Sequence, residues 1–321
     1  VEVIAVGNRN EVGVFRDLIH LGIKDYLVKP LTSGHLIKTL EHILVEEKKS
    51  VQGGKFYKAG KLVTFIGSHG GAGVSTLVAN SGWELAEKES KKVSIIDLDI
   101  QLGIIPHFFN LEPSMGLQEL FETPERIDET LINRSMTQVG QNLTLLSSQT
   151  SLQEQPNISS EAVSSITQAV LANVHFVLVD LPRNFLTSVN PSLLQNSDII
   201  VIVTDYSLIG LKETSRLLEV CKDKAISNQE IFIVANKTGQ YKAGELKREM
   251  YEEALQHKIN LEIAFDSLNP LEALRDGSPV VNRMKGSIYD GVNSIVDHLL
   301  GREKKSGQIE NALGYFKKIK F

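Results

Sequence analysis

The sequence holds a single cysteine, Cys221, in 321 residues. One cysteine makes no internal disulfide, so a reducing compartment is expected. It also excludes an all-cysteine metal or iron–sulfur site within one chain. Cys221 closes the pattern Leu217-Leu218-Glu219-Val220-Cys221, which reads as a helix with the cysteine acting as a small buried hydrophobe. No stretch approaches the roughly 20 apolar residues of a membrane span. An initiator methionine is absent, and residues 1–6 (VEVIAV) read as a strand, not a signal peptide. The chain is therefore expected to begin inside a domain, with more of it upstream. Positive charge is also in short supply: 34 Lys and Arg against 39 Asp and Glu, a net −5. That balance weighs against a protein that coats nucleic acid by charge alone. What is present is enough apolar material, 42% of residues, for a sizeable core. The length suits one large domain plus a smaller piece.

Residues 1–46 alternate strand, helix, strand, helix. The strands are 1–6 and 25–28, the latter closed by Lys29-Pro30; the helices are 11–21 and 36–45. Two strands do not close a parallel sheet, so this reads as the last two βα units of a doubly wound domain. Residues 47–60 are charged and glycine-containing, as a linker would be. From Leu62 a second α/β pattern begins and continues to about 301. Its expected strands are 62–66, 93–97, 143–146, 175–180, 199–204, 231–235 and 261–264. Each is apolar on both faces, as a covered parallel sheet requires. The implied fold is a three-layer, doubly wound, mostly parallel sheet. Residues 302–321 form a tail that is polar and then basic-aromatic.

Strand 62–66 runs into Gly67-Ser68-His69-Gly70-Gly71-Ala72-Gly73-Val74-Ser75-Thr76, and a helix follows. Strand, glycine-rich loop and helix are the context of a phosphate-binding loop. Glycines let successive backbone N–H groups converge on phosphate oxygens, and the helix N-terminus adds its dipole. Ser75 is placed to ligate Mg²⁺ and Thr76 to donate to a phosphate. The usual G-x-x-x-x-G-K-[ST] pattern fails at two places. Ser68 occupies the first glycine position and Val74 the lysine position.

The loop resembles the deviant Walker A motif of the MinD/ParA superfamily, K-G-G-x-G-K-[ST]-T, with His69 and Val74 in place of its two lysines. Asp97-Leu98-Asp99 at the end of strand 93–97 resembles the superfamily's second motif. Residues 176–182 (FVLVDLP) resemble its Walker B strand, and residues 231–237 (IFIVANK) its base-recognition strand. The resemblance implies ATP and Mg²⁺ as cofactors. It implies contact with nucleotide by His69, Gly70, Gly71, Ala72, Gly73, Val74, Ser75, Thr76, Asn236 and Lys237, with Asp266 near the base. Asn236 would read the adenine edge. Ser75, Asp97 and Asp180 would serve Mg²⁺, and Asp99, with Asp97, would be catalytic by positioning the attacking water. The first lysine of the motif normally reaches across a dimer, so a homodimer around the nucleotide is implied. With both lysines gone, chemistry is expected to be slow or absent. His69, if protonated, and Arg183 are the candidate substitutes for the missing charge.

Residues 97–103, Leu111-Glu112-Pro113, Gly116-Leu117, residues 124–128 and Asp180-Leu181-Pro182-Arg183 resemble the CpaE/TadZ pilus-assembly family. That family carries an N-terminal receiver-like domain, which fits residues 1–46. Gly7 stands where an active receiver has a Thr or Ser switch, so phosphosignalling is not expected. The resemblance implies positioning of a type IV (Flp/Tad) pilus machine, with its secretion ATPase or other Tad components as partners. It implies a place at the cytoplasmic face of the inner membrane, with a cell pole as the candidate site. Residues 311–321 carry Ala312, Leu313, Phe316 and Ile319 near one helical face with Lys317 and Lys318 elsewhere, which suits a membrane interface. The rival readings are a cycling MinD-like ATPase and a ParA-like DNA-partitioning protein, the latter disfavoured by the acidic balance.

Overall fold

The computed structural model describes residues 4–7, 25–28, 60–153, 158–185, 191–223, 229–241, 243–283 and 285–302. The helices expected at 11–21 and 36–45, Lys29-Pro30, linker residues 47–59 and the tail from 303 onward lie outside them. Two compact units are present, Val1–Tyr57 and Lys58–Phe321. In the first, β1 (Ile4–Gly7) and β2 (Asp25–Val28) pair in parallel, Ile4 opposite Asp25 and Gly7 opposite Val28.

The second unit holds β3 (Lys61–Gly67), β4 (Val93–Asp97), β5 (Thr137–Gln138), β6 (Leu143–Leu146), β7 (Phe176–Leu181), β8 (Ile199–Thr204), β9 (Glu230–Thr238) and β10 (Leu261–Ala264). They form one sheet in the order β10-β9-β8-β3-β7-β4-β6-β5. The helices are α1 (Val74–Trp83), α2 (Gly116–Glu122), α3 (Glu129–Ser135), α4 (Ser160–Leu171), α5 (Pro191–Asn196), α6 (Leu208–Asp223), α7 (Arg248–Leu255), α8 (Asn269–Arg275), α9 (Val280–Arg283) and α10 (Ser287–Leu299).

The three layers follow from strand periodicity. Successive side chains of a strand point to opposite faces. On β3, Leu62 and Ile66 join one buried cluster while Val63 and Phe65 join the other. On β8, Ile200 and Ile202 face the first and Val201 and Val203 the second. The first cluster is closed by apolar residues of α2 to α7, the second by those of α1, α8, α9 and α10. Each fully buried Leu, Ile or Phe stabilises by about 1.5–3 kcal/mol relative to exposure. Helix starts are fixed locally: Asp128 Oδ1 accepts from Leu131 N at 2.8 Å before α3, and Ser159 Oγ from Ala162 N at 3.1 Å before α4. Cys221 is buried on α6.

All strand pairs of this sheet are parallel except β5 with β6. Sequence reading misses β5 because two residues carry no periodicity. It also ends β9 at Ala235, whereas the strand continues through Asn236 and Lys237 to Thr238. The apolar pattern stops there because the strand has reached the rim of the sheet, where side chains meet a cavity and not a covering helix. Among the described residues no helix is long and apolar enough to cross a membrane.

Candidate functional site

β3, central in the sheet, ends at Gly67, and the chain crosses over the C-terminal rim into α1. Gly71 and Gly73 take φ of 82° and 101°, the left-handed region that glycine adopts without steric cost. A Cβ at Gly73 would lie 2.5 Å from Asn236 Nδ2, so the loop also needs glycine for close packing. No side chain caps the N-terminus of α1 and no acidic residue sits in its first turn. Its leading N–H groups are therefore available to an anion. A cavity of about 570 Å³ opens here, lined by Gly67, residues 69–76, Asp99, Ile104, residues 180–184 and Lys237.

The carboxylates come from neighbouring strands. Asp97 of β4 pairs in register with Asp180 of β7. Both are buried, 1% and 5% exposed. Burial, then the charge of Asp180, pushes the Asp97 carboxyl well above its usual range. Burial and the charge of Asp99 raise Asp180 to about 6, opposed by the Ser75 hydroxyl that hydrogen-bonds to it. Asp97 Oδ1 accepts from Asp99 N at 3.1 Å, and Asp99 Oδ1 accepts from Leu102 N at 3.0 Å. The chain then turns so tightly that a Cβ at Gly103 would lie 2.5 Å from both Asp97 Oδ2 and the Asp99 carbonyl.

The comparisons with known proteins agree with this geometry. The family described as "AAA domain" matches residues 60–233, more than half the chain. The chain belongs to this AAA-domain family. It is 24% identical over 282 residues to the septum site-determining protein MinD of Thermotoga maritima, covering 81% of this chain and 99% of that protein. Its fold is that of a ParA family ATPase from Chlorobium tepidum TLS (TM-score 0.68, 22% identity, 76% of this chain and 99% of that one). It is also that of MinD from Pyrococcus horikoshii OT3 solved with Mg-ADP (TM-score 0.56, 14% identity, 78% and 98%). The fold is thus that of the MinD/ParA-type P-loop proteins.

Within that family frame its departures have physical explanations. Ser68, at the first glycine position, is fully buried and turned away from the cavity; its hydroxyl donates to Thr204 Oγ1 at 3.0 Å. Val74, at the lysine position, packs against the second core cluster. Neither lysine substitute proposed from sequence stands free. His69 Nε2 lies 3.0 Å from Asp205 Oδ2, and Arg183 Nη2 lies 2.6 Å from Glu213 Oε2.

The structure brings His69, Gly70, Gly71, Ala72, Gly73, Val74, Ser75, Thr76, Asp99, Asp180 and Lys237 to one cavity. Asp97 and Asn236 stand directly behind its wall. Asn236 Nδ2 donates to the Ala72 carbonyl at 2.8 Å, and its Oδ1 accepts from Lys237 N at 2.9 Å. The amide assigned by resemblance to an adenine edge here holds the loop. Asp266 is outside the cavity wall. Its Oδ1 accepts from Leu268 N and Asn269 N at 3.1 and 3.0 Å, an Asx turn at the start of α8.

Among the described residues no group of three or more His, Cys, Asp or Glu is arranged to hold a metal ion. The donors that converge are Asp97, Asp180 and the Ser75 hydroxyl, a set of hard oxygens. Such a set fits Mg²⁺, which takes one or two carboxylates and completes its shell with water and phosphate oxygens. Sequence reasoning missed Gly103, Asp205 and Glu213 as members of the site. Gly103 had a signal, a glycine four residues after Asp99; Asp205 and Glu213 had none.

Proposed function

We propose that this protein binds ATP·Mg²⁺ and dimerises around it. The bound dimer then positions or assembles a type IV (Flp/Tad) pilus machine at the cytoplasmic membrane. Hydrolysis is slow or absent. The observation that carries this reading is a folded phosphate loop in which a partly buried Val74, packed against the core, stands where a lysine would reach the phosphates. In phosphoryl transfer that lysine stabilises charge on the β- and γ-phosphates. Loop N–H groups and the α1 N-terminus bind the phosphates without it. Ser75 and Asp180, with Asp97 behind, would hold the metal, which supplies charge neutralisation between phosphates. Nucleotide then acts as a ligand that favours one assembly state. The solved MinD with Mg-ADP supports the cofactor pair. The pilus assignment rests on the CpaE/TadZ-like segments at 97–103 and 180–183, and the receiver-like role on residues 1–46. A membrane-contacting tail at 311–321 and Tad partners belong to the same reading.

A cycling ATPase is the second reading, favoured by Asp99 lining the cavity beside Asp180. Single-turnover hydrolysis of radiolabelled ATP, with oligomer mass followed in the same sample, separates the two. Binding and dimer formation without phosphate release support the scaffold. Release that vanishes in Asp99→Ala overturns it in favour of cycling.

A further inference from the structure

Three basic side chains line the cavity among the described residues: His69, Arg183 and Lys237. His69 faces Asp205 at 3.0 Å and Arg183 faces Glu213 at 2.6 Å, so each is committed to a carboxylate of its own chain. Lys237 differs. Its Nζ donates to the Gly71 carbonyl at 2.6 Å, a neutral acceptor, and no carboxylate pairs with it among the described residues. An ammonium group has three N–H donors. One is spent on Gly71, which leaves two and a whole positive charge at the mouth of the loop.

The backbone is shaped for this placement. Lys237 has φ +58°, left-handed, a conformation that costs a non-glycine residue free energy and persists only when its surroundings impose it. The imposing contact is Asn236, whose amide grips the Ala72 carbonyl and the Lys237 N–H together. Adjacent residues of β9 thus hold adjacent carbonyls of the loop, Asn236 on Ala72 and Lys237 on Gly71.

We propose that Lys237 stands in for the absent loop lysine, anchored on the loop backbone and directing its charge at the phosphates of the bound nucleotide. This rests on the nucleotide reading above. A charge that serves phosphates matters more as their number rises, whereas a side chain that covers the base matters equally for adenosine and ATP.

The test is isothermal titration of the full chain with adenosine, AMP, ADP and ATP in the presence of Mg²⁺. The proteins compared are wild type, Lys237→Met, Lys237→Gln and the double variant Lys237→Met/Val74→Lys. Thermal melts check that each is folded. Lys237→Met is expected to weaken ATP and ADP about tenfold or more while adenosine changes less than about twofold, the difference of one unpaired charge. Lys237→Gln, which keeps a donor for Gly71 but no charge, behaves like Met. Val74→Lys restores ATP affinity in the Met background. Equal losses for adenosine and ATP, or full ATP affinity in Lys237→Gln, would overturn the proposal. A wild-type chain that binds none of the four ligands would overturn the nucleotide reading and this inference with it. ATP binding of equal strength in wild type and Lys237→Met overturns the inference alone.

Discussion

Cavities of similar size lie at the two ends of the same sheet. One of about 570 Å³ opens at the C-terminal rim, beside the phosphate loop. Another of about 460 Å³ lies at the N-terminal rim, lined by Lys61, Ile199, Glu230 and Leu261 at their strand starts. Volume does not separate them; the state of their charges does. At the N-terminal rim Asp198 Oδ2 accepts from Leu62 N at 2.7 Å, and Lys61 Nζ donates to the Leu299 carbonyl. His298 Nε2 lies 3.0 Å from Glu230 Oε1, and Arg302 pairs with Glu89 and Asp297. Those groups are matched by the protein itself. At the C-terminal rim two carboxylates are buried side by side and a helix N-terminus has no side-chain cap. One end of the sheet is finished by folding and the other is left open. Parallel α/β sheets bind ligands at the carboxyl ends of their strands for this reason.

Substitutions at the two ends should therefore differ in kind. The largest effect is expected from Val74→Lys, which returns a cation to the loop. Turnover of ATP should rise on the order of 10²-fold, the typical worth of one well-aimed charge or donor in a transition state, as read by single-turnover phosphate release. Next is Gly103→Ala. Its methyl group would collide with Asp97 and the Asp99 carbonyl. Overpacking costs of about 1–3 kcal/mol correspond to roughly a 5- to 150-fold loss of Mg²⁺-dependent ATP affinity if borne by the site. Calorimetric titration with and without Mg²⁺ checks it.

Changes at the N-terminal rim should leave that titration alone. Asp198→Ala strands the Leu62 N–H and should lower stability by about 1–3 kcal/mol in urea unfolding. ATP affinity should be unchanged. A loss of ATP affinity there would break the comparison, because it would couple the settled end to the open one.

The smallest effect concerns Glu252 on α7, in the connection into β10. Hydrogen bonds from Lys258 and the Ile259 N–H, with Arg248, hold its carboxyl down at about 2. A depressed carboxyl contributes stability above its unfolded value, and that contribution is lost as pH falls toward 2. Glu252→Gln should lower the melting temperature by about a degree or two at pH 7. The gap between variant and wild type should close between pH 4.5 and 2.

Much of the fold was legible because its strands are covered on both faces. Stretches such as Val93–Asp97 and Ile199–Thr204 stand out as short apolar runs, and they form strands at those bounds. The loop was legible for a different reason: strand, glycines and helix lie together in the chain. β5 was not legible, being two residues long, and neither was the end of β9, where covering helices stop and polarity rises.

By itself the sequence determined the doubly wound fold, the place of the phosphate loop, its lack of lysine and the aspartates at the rim. All of these are local patterns within a few residues of one another. Only the tertiary structure decided what each charged group would face. His69 meets Asp205, Asn236 meets Ala72, and Lys237 meets Gly71 across 166 positions of chain. Those meetings depend on β3, β8 and β9 lying side by side, and strand order is set by the packing of the whole sheet. The same local sequence in another order would give each of these side chains a different neighbour.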